Sequence, residues 1–242
     1  MKAMIFAAGL GTRLKPLTDT MPKALVPVNG KPLLEHIIEK MKTASFDEII
    51  VNVHHFSEQI AGFLAEKNNF GIRIEISDET DLLLETGGGI KKAAAFFDCG
   101  KPFLVHNVDI FSNVDLCEMY DFSLKNNALA TLLVSKRQTS RYLLFDENKN
   151  LAGWLNEKTG EVKSPHKNLN INHYEKLAFG GIHVISPQIF KLMDDWNGKF
   201  SIIDFYLSIC DKHKICAYAP ENLKLLDVGK VDSLDIAERF LK

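Results

Sequence analysis

Residues 3–23 read AMIFAAGLGTRLKPLTDTMPK. The apolar run at 3–8 has the length of a buried strand, and the chain leaves it through Gly9 and Gly11 into a segment carrying Arg13 and Lys23. A strand that opens into glycines exposes backbone N–H groups able to wrap an anion, and glycine permits an approach that a Cβ would block. The stretch is built as a phosphate cradle. It is not a dinucleotide fingerprint, because Leu14 stands where the third glycine of G-x-G-x-x-G belongs, and it lacks the G-K-[ST] ending of a Walker loop. It offers two cations instead, with Pro16 and Pro22 stiffening the path between them. A guanidinium grips a polyphosphate through two parallel bonds and an ammonium supplies a compact charge, a pairing suited to a nucleoside triphosphate. The competing reading is a surface turn whose Arg13 and Lys23 are merely solvated.

Outward from this loop, apolar runs recur at 49–53, 72–76, 103–106 and 130–134, and segments of helical spacing lie between them at 33–41, 57–67, 88–97 and 116–125. Alternation of this kind implies an α/β fold with a doubly wound, mostly parallel sheet, right-handed crossovers and ligands outside the carboxyl ends of the strands. From about residue 141 the pattern changes to short apolar runs at 142–145, 151–155 and 177–185, which reads as strands joined by polar loops. The stretch 156–176 reads as a long mobile loop, either a lid or a solvated insertion. Helices at 187–194, 201–210 and 231–241 and strands at 215–218 and 224–226 close the chain. We expect a single domain with a nucleotide-binding half, 1–135, and a sugar-binding and closing half, 136–242.

The chain of 242 residues holds 29 Lys+Arg against 31 Asp+Glu, so it lacks the basic excess that attracts nucleic acid or an acidic membrane, and any anion must be met by a local site. Cys99, Cys117, Cys210 and Cys216 form no Cys-x-x-Cys pair, and the opening shows no export signal, so they read as buried, reduced thiols of a cytoplasmic protein. Adjacent strand residues point to opposite faces, so His54 and His55 are not expected to share a metal, and His54 or His55 is expected to bond a neighbouring loop. His106 is expected to be a satisfied buried histidine, and Trp154, Phe96 and Phe97 core aromatics. Asp109 ends a strand-like run at the edge where such sheets bind ligands, as a helix cap or as a ligand of Mg²⁺.

The run from Gly9 to Thr18 with Pro22-Lys23 resembles the signature G-x-G-x-R-x-x-P-x-T…P-K of sugar-1-phosphate nucleotidyltransferases. The resemblance continues through Leu84-Glu-Thr-Gly-Gly-Gly89, Asn107-Val-Asp109, Phe179-Gly-Gly-Ile182 and Asp227-Val-Gly229, and it covers nearly the whole chain. With Asn52-Val-His54-His55, it is most similar to the short branch typified by N-acetylmuramate-1-phosphate uridylyltransferase. The resemblance implies a three-layer Rossmann-like α/β/α fold. It also implies attack of a sugar-1-phosphate oxygen on the α-phosphorus of an NTP, giving NDP-sugar and pyrophosphate, by positioning and charge neutralisation. The substrates it favours are UTP and N-acetylmuramate 1-phosphate, in cell-wall recycling. Guanylyl transfer to mannose or heptose 1-phosphate, cytidylyl transfer to phosphocholine, and a silent nucleotide-sugar-binding regulator are the alternatives. The hexapeptide-repeat extension of bifunctional relatives is not expected, and the protein is expected as a monomer or small homo-oligomer.

The resemblance also assigns roles. Arg13 and Lys23 hold the leaving and α-phosphates, with N–H donors from Ala8, Gly9, Gly11 and Thr12. Asp109 and Asp227 bind Mg²⁺. Gly88, at the start of a helix, and Glu79 receive the base or ribose. Asn107, Gly180 and Glu85, which replaces a glycine of a neighbouring branch, face the sugar. Glu157-Lys158 resembles a Glu-Lys pair that holds sugar phosphate in longer thymidylyltransferases, with Thr159 in place of their proline; a solvated charged pair is the alternative.

Overall fold

The computed structural model describes residues 1–241, so the expected closing half lies within it except for position 242. In chain order the first half gives β1 (Lys2–Phe6), β2 (Pro27–Val28), β3 (Lys31–Pro32), α1 (Leu33–Thr43), β4 (Glu48–Val53), α2 (Ser57–Glu66), β5 (Arg73–Asp78), α3 (Glu85–Lys92), β6 (Phe103–Asn107), β7 (Ile110–Ser112), α4 (Leu116–Asn126) and β8 (Ala130–Ser135). The second half gives β9 (Arg141–Phe145), β10 (Leu151–Asn156), β11 (Glu161–Lys163), β12 (Glu175–Ile185), α5 (Ile189–Leu192), α6 (Ile202–Ile209), β13 (Ile215–Tyr218), β14 (Leu225–Asp227) and α7 (Asp232–Phe240).

The main sheet runs β5-β4-β1-β6-β12-β8-β13. All these strands point one way except β12, which is antiparallel to both its neighbours. Helical crossovers force the parallel pairings, since a parallel neighbour cannot be reached by a tight turn. The 11-residue β12 extends beyond β6 and pairs through Glu175–Leu177 with β9, which continues antiparallel into β10 and β11. One long strand therefore belongs to both the parallel sheet and the antiparallel flap.

Side chains alternate across the sheet and seed two cores. Ala3 and Ile5 face the cluster built with α1, α2, α4 and α7, while Met4 faces the cluster built with α3, α5 and α6. In α1 the expected spacing buries Leu34, Ile37, Ile38 and Met41, each contributing about 1.5–3 kcal/mol of transfer free energy. Asp115 starts α4 by accepting from the Cys117 and Glu118 N–H groups at 2.8 and 3.0 Å.

Several expectations are corrected here. The stretch 156–176 is not an irregular loop: β11 folds back on β10 within it, a turn at Ile171–His173 follows, and β12 already begins at Glu175. These strands escaped notice because β11, Glu161–Lys163, is exposed throughout and carries no apolar alternation. The helix expected at 88–97 begins at Glu85 and breaks into a short turn at Ala94–Phe97. Of the cysteines only Cys216 is buried; Cys210 is intermediate, and Cys99 and Cys117 are exposed. His106 is only half satisfied, with Nδ1 on the Asn107 carbonyl and no partner for Nε2.

Candidate active site

The carboxyl ends of three parallel strands are stitched together at one edge. The Ala7 N–H, just past β1, donates to the Asn52 carbonyl at 3.2 Å and to its Oδ1 at 2.8 Å, and the Val108 N–H donates to the Phe6 carbonyl at 3.1 Å. A cavity of about 270 Å³ opens here, lined among others by Ala8, Gly9, Lys23, Asn107 and Asp109. The glycine loop is held by its own chemistry. Gly11 adopts φ +64°, a Cβ there would stand 2.8 Å from the Thr18 methyl, and the Thr18 hydroxyl donates to the Gly11 carbonyl at 2.8 Å. Thr12 and Arg13 then form a tight exposed turn with Leu14 as its buried anchor.

Lys23 is 9 % exposed, and its ammonium is ion-paired with the Asp109 carboxylate. Asp109 sits between β6 and β7, and the short β7–β14 ladder sets Asp227 opposite Ile110, with the Val228 N–H donating to the Asp109 carbonyl at 2.8 Å. The two aspartates, 118 positions apart in the chain, are thereby neighbours in space. A Cβ on Gly229 would lie 2.5 Å from Asp227 Oδ1 and 2.6 Å from an Arg13 guanidinium nitrogen, so these groups are no more than about 5 Å apart. Arg13 and Lys23 thus flank the two carboxylates, Asp227 and Asp109, one cation beside each.

Glu79 is 1 % exposed and is held rather than free: Oε1 accepts from Asn52 at 2.9 Å and Oε2 from the Leu84 N–H at 3.0 Å. His54 bonds the Glu79 carbonyl at 2.6 Å, the loop-tying role expected of it. Glu85 and Thr86 complete the cavity wall. Glu85 has φ +59°, an unusual conformation for a side-chain-bearing residue, and pairs with Lys199 at 3.4 Å. The remaining candidates stand elsewhere. Gly88 packs buried under the Gly198 carbonyl and Gly180 against Leu133 and Leu225, neither on the cavity wall. Glu157 pairs with Lys176 at 2.9 Å, and Lys158 is exposed on the turn after β10.

A second cavity, of about 580 Å³, lies on the flap side. Phe179 and Trp154 belong to its wall, so Trp154, half-buried and packed against the second core cluster as expected, also borders the cavity. Sequence reasoning missed this cavity, along with Asn52 and Thr86. Asn52 had a signal, a lone amide inside the apolar strand Glu48–Val53, whereas the cavity depends on strand pairing that the sequence does not display. Nearby, burial pushes the His106 imidazole down to about 4 and that of His183, hydrogen-bonded to the Tyr206 hydroxyl at 2.8 Å, down to about 3.

Comparison with known proteins agrees with this fold. The chain is 33% identical over 227 residues to the N-acetylmuramate alpha-1-phosphate uridylyltransferase of Caulobacter vibrioides, covering 91% of this chain and 89% of that one. It is 30% identical over 192 residues to mannose-1-phosphate guanylyltransferase 1 of Arabidopsis thaliana, covering 78% of this chain and about half (51%) of the plant protein. The crystal structure of HddC from Yersinia pseudotuberculosis complexed with GMP-PN shares the fold, with a TM-score of 0.77 and 22% identity over 100% of this chain and 99% of that one. Residues 2–242 match the Nucleotidyl transferase family. The chain thus belongs to that family, among the sugar-1-phosphate nucleotidyltransferases.

Proposed function

We propose that the enzyme transfers a uridylyl group from UTP to N-acetylmuramate 1-phosphate. A phosphate oxygen of the sugar attacks the α-phosphorus, the bond to the β-phosphate oxygen breaks, and UDP-N-acetylmuramate and pyrophosphate form. The observation that carries the chemistry is the rim on which Lys23, Asp109, Asp227 and Arg13 converge beside the glycine loop. The likeness to the Caulobacter relative across most of both chains supports the choice of substrates.

In this reading the N–H groups of Ala8 to Thr12 receive the β- and γ-phosphates. Arg13, exposed beside Asp227, holds the leaving pyrophosphate. Lys23, held at the cavity by Asp109, places its charge at the α-phosphate, where it gains most as the phosphorus is attacked. Asn107, on the cavity wall, and Glu85 contact the sugar; Glu79 positions the loops around the base. Gly88 and Gly180 act by letting neighbouring backbone approach, and Glu157-Lys158 extends the sugar side. The halves 1–135 and 136–242 divide nucleotide from sugar.

The donor set also suits a magnesium ion. Among the described residues no three or more His, Cys, Asp or Glu side chains gather as a metal cage. The rim carries two aspartates, and Mg²⁺ takes one or two carboxylates from protein and its other oxygens from phosphate and water. Asp109 and Asp227 would hold it. When bound, it would neutralise charge on the triphosphate and orient the α-phosphorus for in-line displacement. We place the enzyme in the cytoplasm, in cell-wall sugar recycling; no helix among the described residues is long and apolar enough to cross a membrane.

The test is pyrophosphate release with UTP, GTP, CTP and dTTP against N-acetylmuramate, N-acetylglucosamine, mannose and heptose 1-phosphates and phosphocholine, each with Mg²⁺ and with EDTA. A strong signal confined to UTP and N-acetylmuramate 1-phosphate upholds the reading. The likeness to the Arabidopsis relative favours guanylyl transfer as the second reading, and a dominant signal with GTP would establish it. Nucleotide-sugar affinity with no pyrophosphate from any pair would make the protein a binding module.

A further inference from the structure

The second cavity is joined to the first by two structural links. The Thr86 hydroxyl, on the wall of the nucleotide cavity, accepts from the Ile202 N–H at 3.0 Å, and the flanking Ser201 and Ile203 line the second cavity. On the other side Phe179 lines the second cavity, and two residues on, Gly181 adopts φ +73° so that β12 passes Asn107, where a Cβ would stand 2.9 Å from the amide. The larger cavity therefore begins where an acceptor leaving the nucleotide cavity by Thr86 and Asn107 would extend.

Its floor is one face of the flap. Register pairs Arg141 with Asn156, Leu143 with Trp154, and Trp154 with Lys163, and residues two apart share a face, so these side chains rise together. Trp154 is the apolar base of this face, with the Lys163 ammonium over its ring at 5.3 Å from the centroid and Leu143 buried beside it. The charges above it are unequally matched. Lys163 is already neutralised by Asp204 at 2.9 Å, and Arg137 donates to the Phe179 carbonyl at 3.1 Å without meeting a carboxylate. Arg141 forms no ion pair among the described residues, although Glu161 stands on the same face. Two guanidiniums face one unpaired carboxylate across the sugar side of the cleft.

Neutral sugar hydroxyls do not call for that arrangement. A planar guanidinium with free donors matches a carboxylate through two parallel bonds. Resting on the substrate reading above, we propose that Arg141, assisted by Arg137, forms a carboxylate subsite above Trp154 that selects an acceptor sugar 1-phosphate bearing an acidic substituent on its ring. The lactyl ether of N-acetylmuramate is such a substituent; N-acetylglucosamine 1-phosphate is the same sugar without it. The pair acts on acceptor choice and not on the nucleotide, because both arginines lie outside the glycine-loop cavity.

The experiment measures kcat and KM for these two acceptors at saturating UTP and Mg²⁺ in the wild-type enzyme and in Arg141→Ala, Arg141→Lys and Arg137→Ala. Arg141 is exposed and its side chain bonds nothing in the fold, so its variants are expected to fold as the parent does. The wild type should prefer the acidic sugar by roughly 10- to 100-fold in kcat/KM, since only that sugar offers the guanidiniums a carboxylate. Arg141→Ala should lose roughly 10- to 100-fold on the acidic sugar, mainly in KM, with the neutral sugar and the KM for UTP unchanged, and lysine should restore part of the loss. A wild type that uses N-acetylmuramate 1-phosphate while Arg141→Ala keeps the same preference overturns the subsite and leaves the substrate reading standing. A wild type that prefers a neutral acceptor, or turns over neither, overturns the substrate reading and the subsite with it.

Discussion

Asn52 and Glu79 meet in a 2.9 Å hydrogen bond on the wall of the glycine-loop cavity, and each is almost wholly buried. The amide uses its oxygen on the Ala7 N–H and its nitrogen on the carboxylate, while the other carboxylate oxygen holds the Leu84 N–H. The segment that follows β1 and the segment between β5 and α3 are thus tied through one amide–carboxylate contact.

Asn52→Ala leaves a buried carboxylate oxygen without a partner and the Ala7 N–H with only the backbone carbonyl of residue 52 at 3.2 Å, which costs about 1–3 kcal/mol. The expected outcome is a lower urea midpoint at unchanged m-value, with a raised KM for UTP from the loosened loops. Equal midpoints for variant and parent would show that water replaces the amide without loss.

Lys23→Ala removes the ammonium paired with Asp109, the charge that the proposed reaction sets at the α-phosphate. Loss of one preorganised donor at a developing charge costs on the order of 100- to 1000-fold in kcat, and the nucleotide Kd should shift far less because Arg13 and the glycine loop remain. Stopped-flow or steady-state kinetics beside equilibrium UTP binding makes the comparison, and an unchanged kcat removes Lys23 from the mechanism.

Asp109→Asn and Asp227→Asn should each lower turnover at fixed Mg²⁺ by on the order of 100-fold and raise the Mg²⁺ concentration needed for half-maximal rate. Because β7 and β14 set the two residues side by side, the double variant should lose less than the product of the single losses. Strict multiplicativity would place the carboxylates at independent sites.

How much of this was legible in the sequence differs from element to element. Leucine and isoleucine at helical spacing in 33–41 and mostly apolar runs at 49–53 and 103–106 gave α1, β4 and β6 almost to the residue, because buried elements must repeat their apolar positions. The glycine loop was legible because φ +64° at Gly11 and the approach of Thr18 leave no other residue comfortable there. The pairing of Asp227 with Asp109 was reachable only through family resemblance, since a three-residue ladder between distant segments has no local signature. The flap cavity was invisible, because β11 is exposed and its residues meet Trp154 and Arg141 only through strand register.

Glu85 lies in the left-handed region at φ +59°, a conformation that costs a non-glycine residue about 1–2 kcal/mol and persists where function holds it. Its pair with Lys199 at 3.4 Å joins two well-exposed side chains and offsets little of that. Glu85→Gly should therefore raise Tm by roughly 2–4 °C, as a gain of about 1 kcal/mol does in a chain this size, while activity falls. Glu85→Gln keeps the strain and separates the two effects. A glycine variant of unaltered activity would deny the carboxylate a role.

Acid should destabilise the protein through two buried imidazoles. The ordinary value of 6.5 is lowered to about 4 for His106 and about 3 for His183, in both mainly by desolvation. Between those limits the unfolded chain binds protons that the folded chain refuses, so stability is undiminished above pH 6.5 and falls as pH drops below it, at about 1.4 kcal/mol per pH unit for each histidine. Urea titrations at pH 7.5 and pH 5 should show the loss, and His183→Gln should reduce it by about half. Midpoints independent of pH would mean that the imidazoles find proton acceptors when charged.

The reversed strand β12 also governs when the molecule can form. It supplies the partner for β6 on one side and β8 on the other, yet it is made of residues 175–185. During synthesis the ribosome has released the whole of β1, β4, β5, β6 and β8 before that strand emerges, so two long apolar edges wait without a neighbour. Such edges invite pairing with other nascent chains, and contacts closed over so many residues are made late. The growing chain thus passes through a window, opened by β8 and shut by β12, in which its need for a chaperone is greatest.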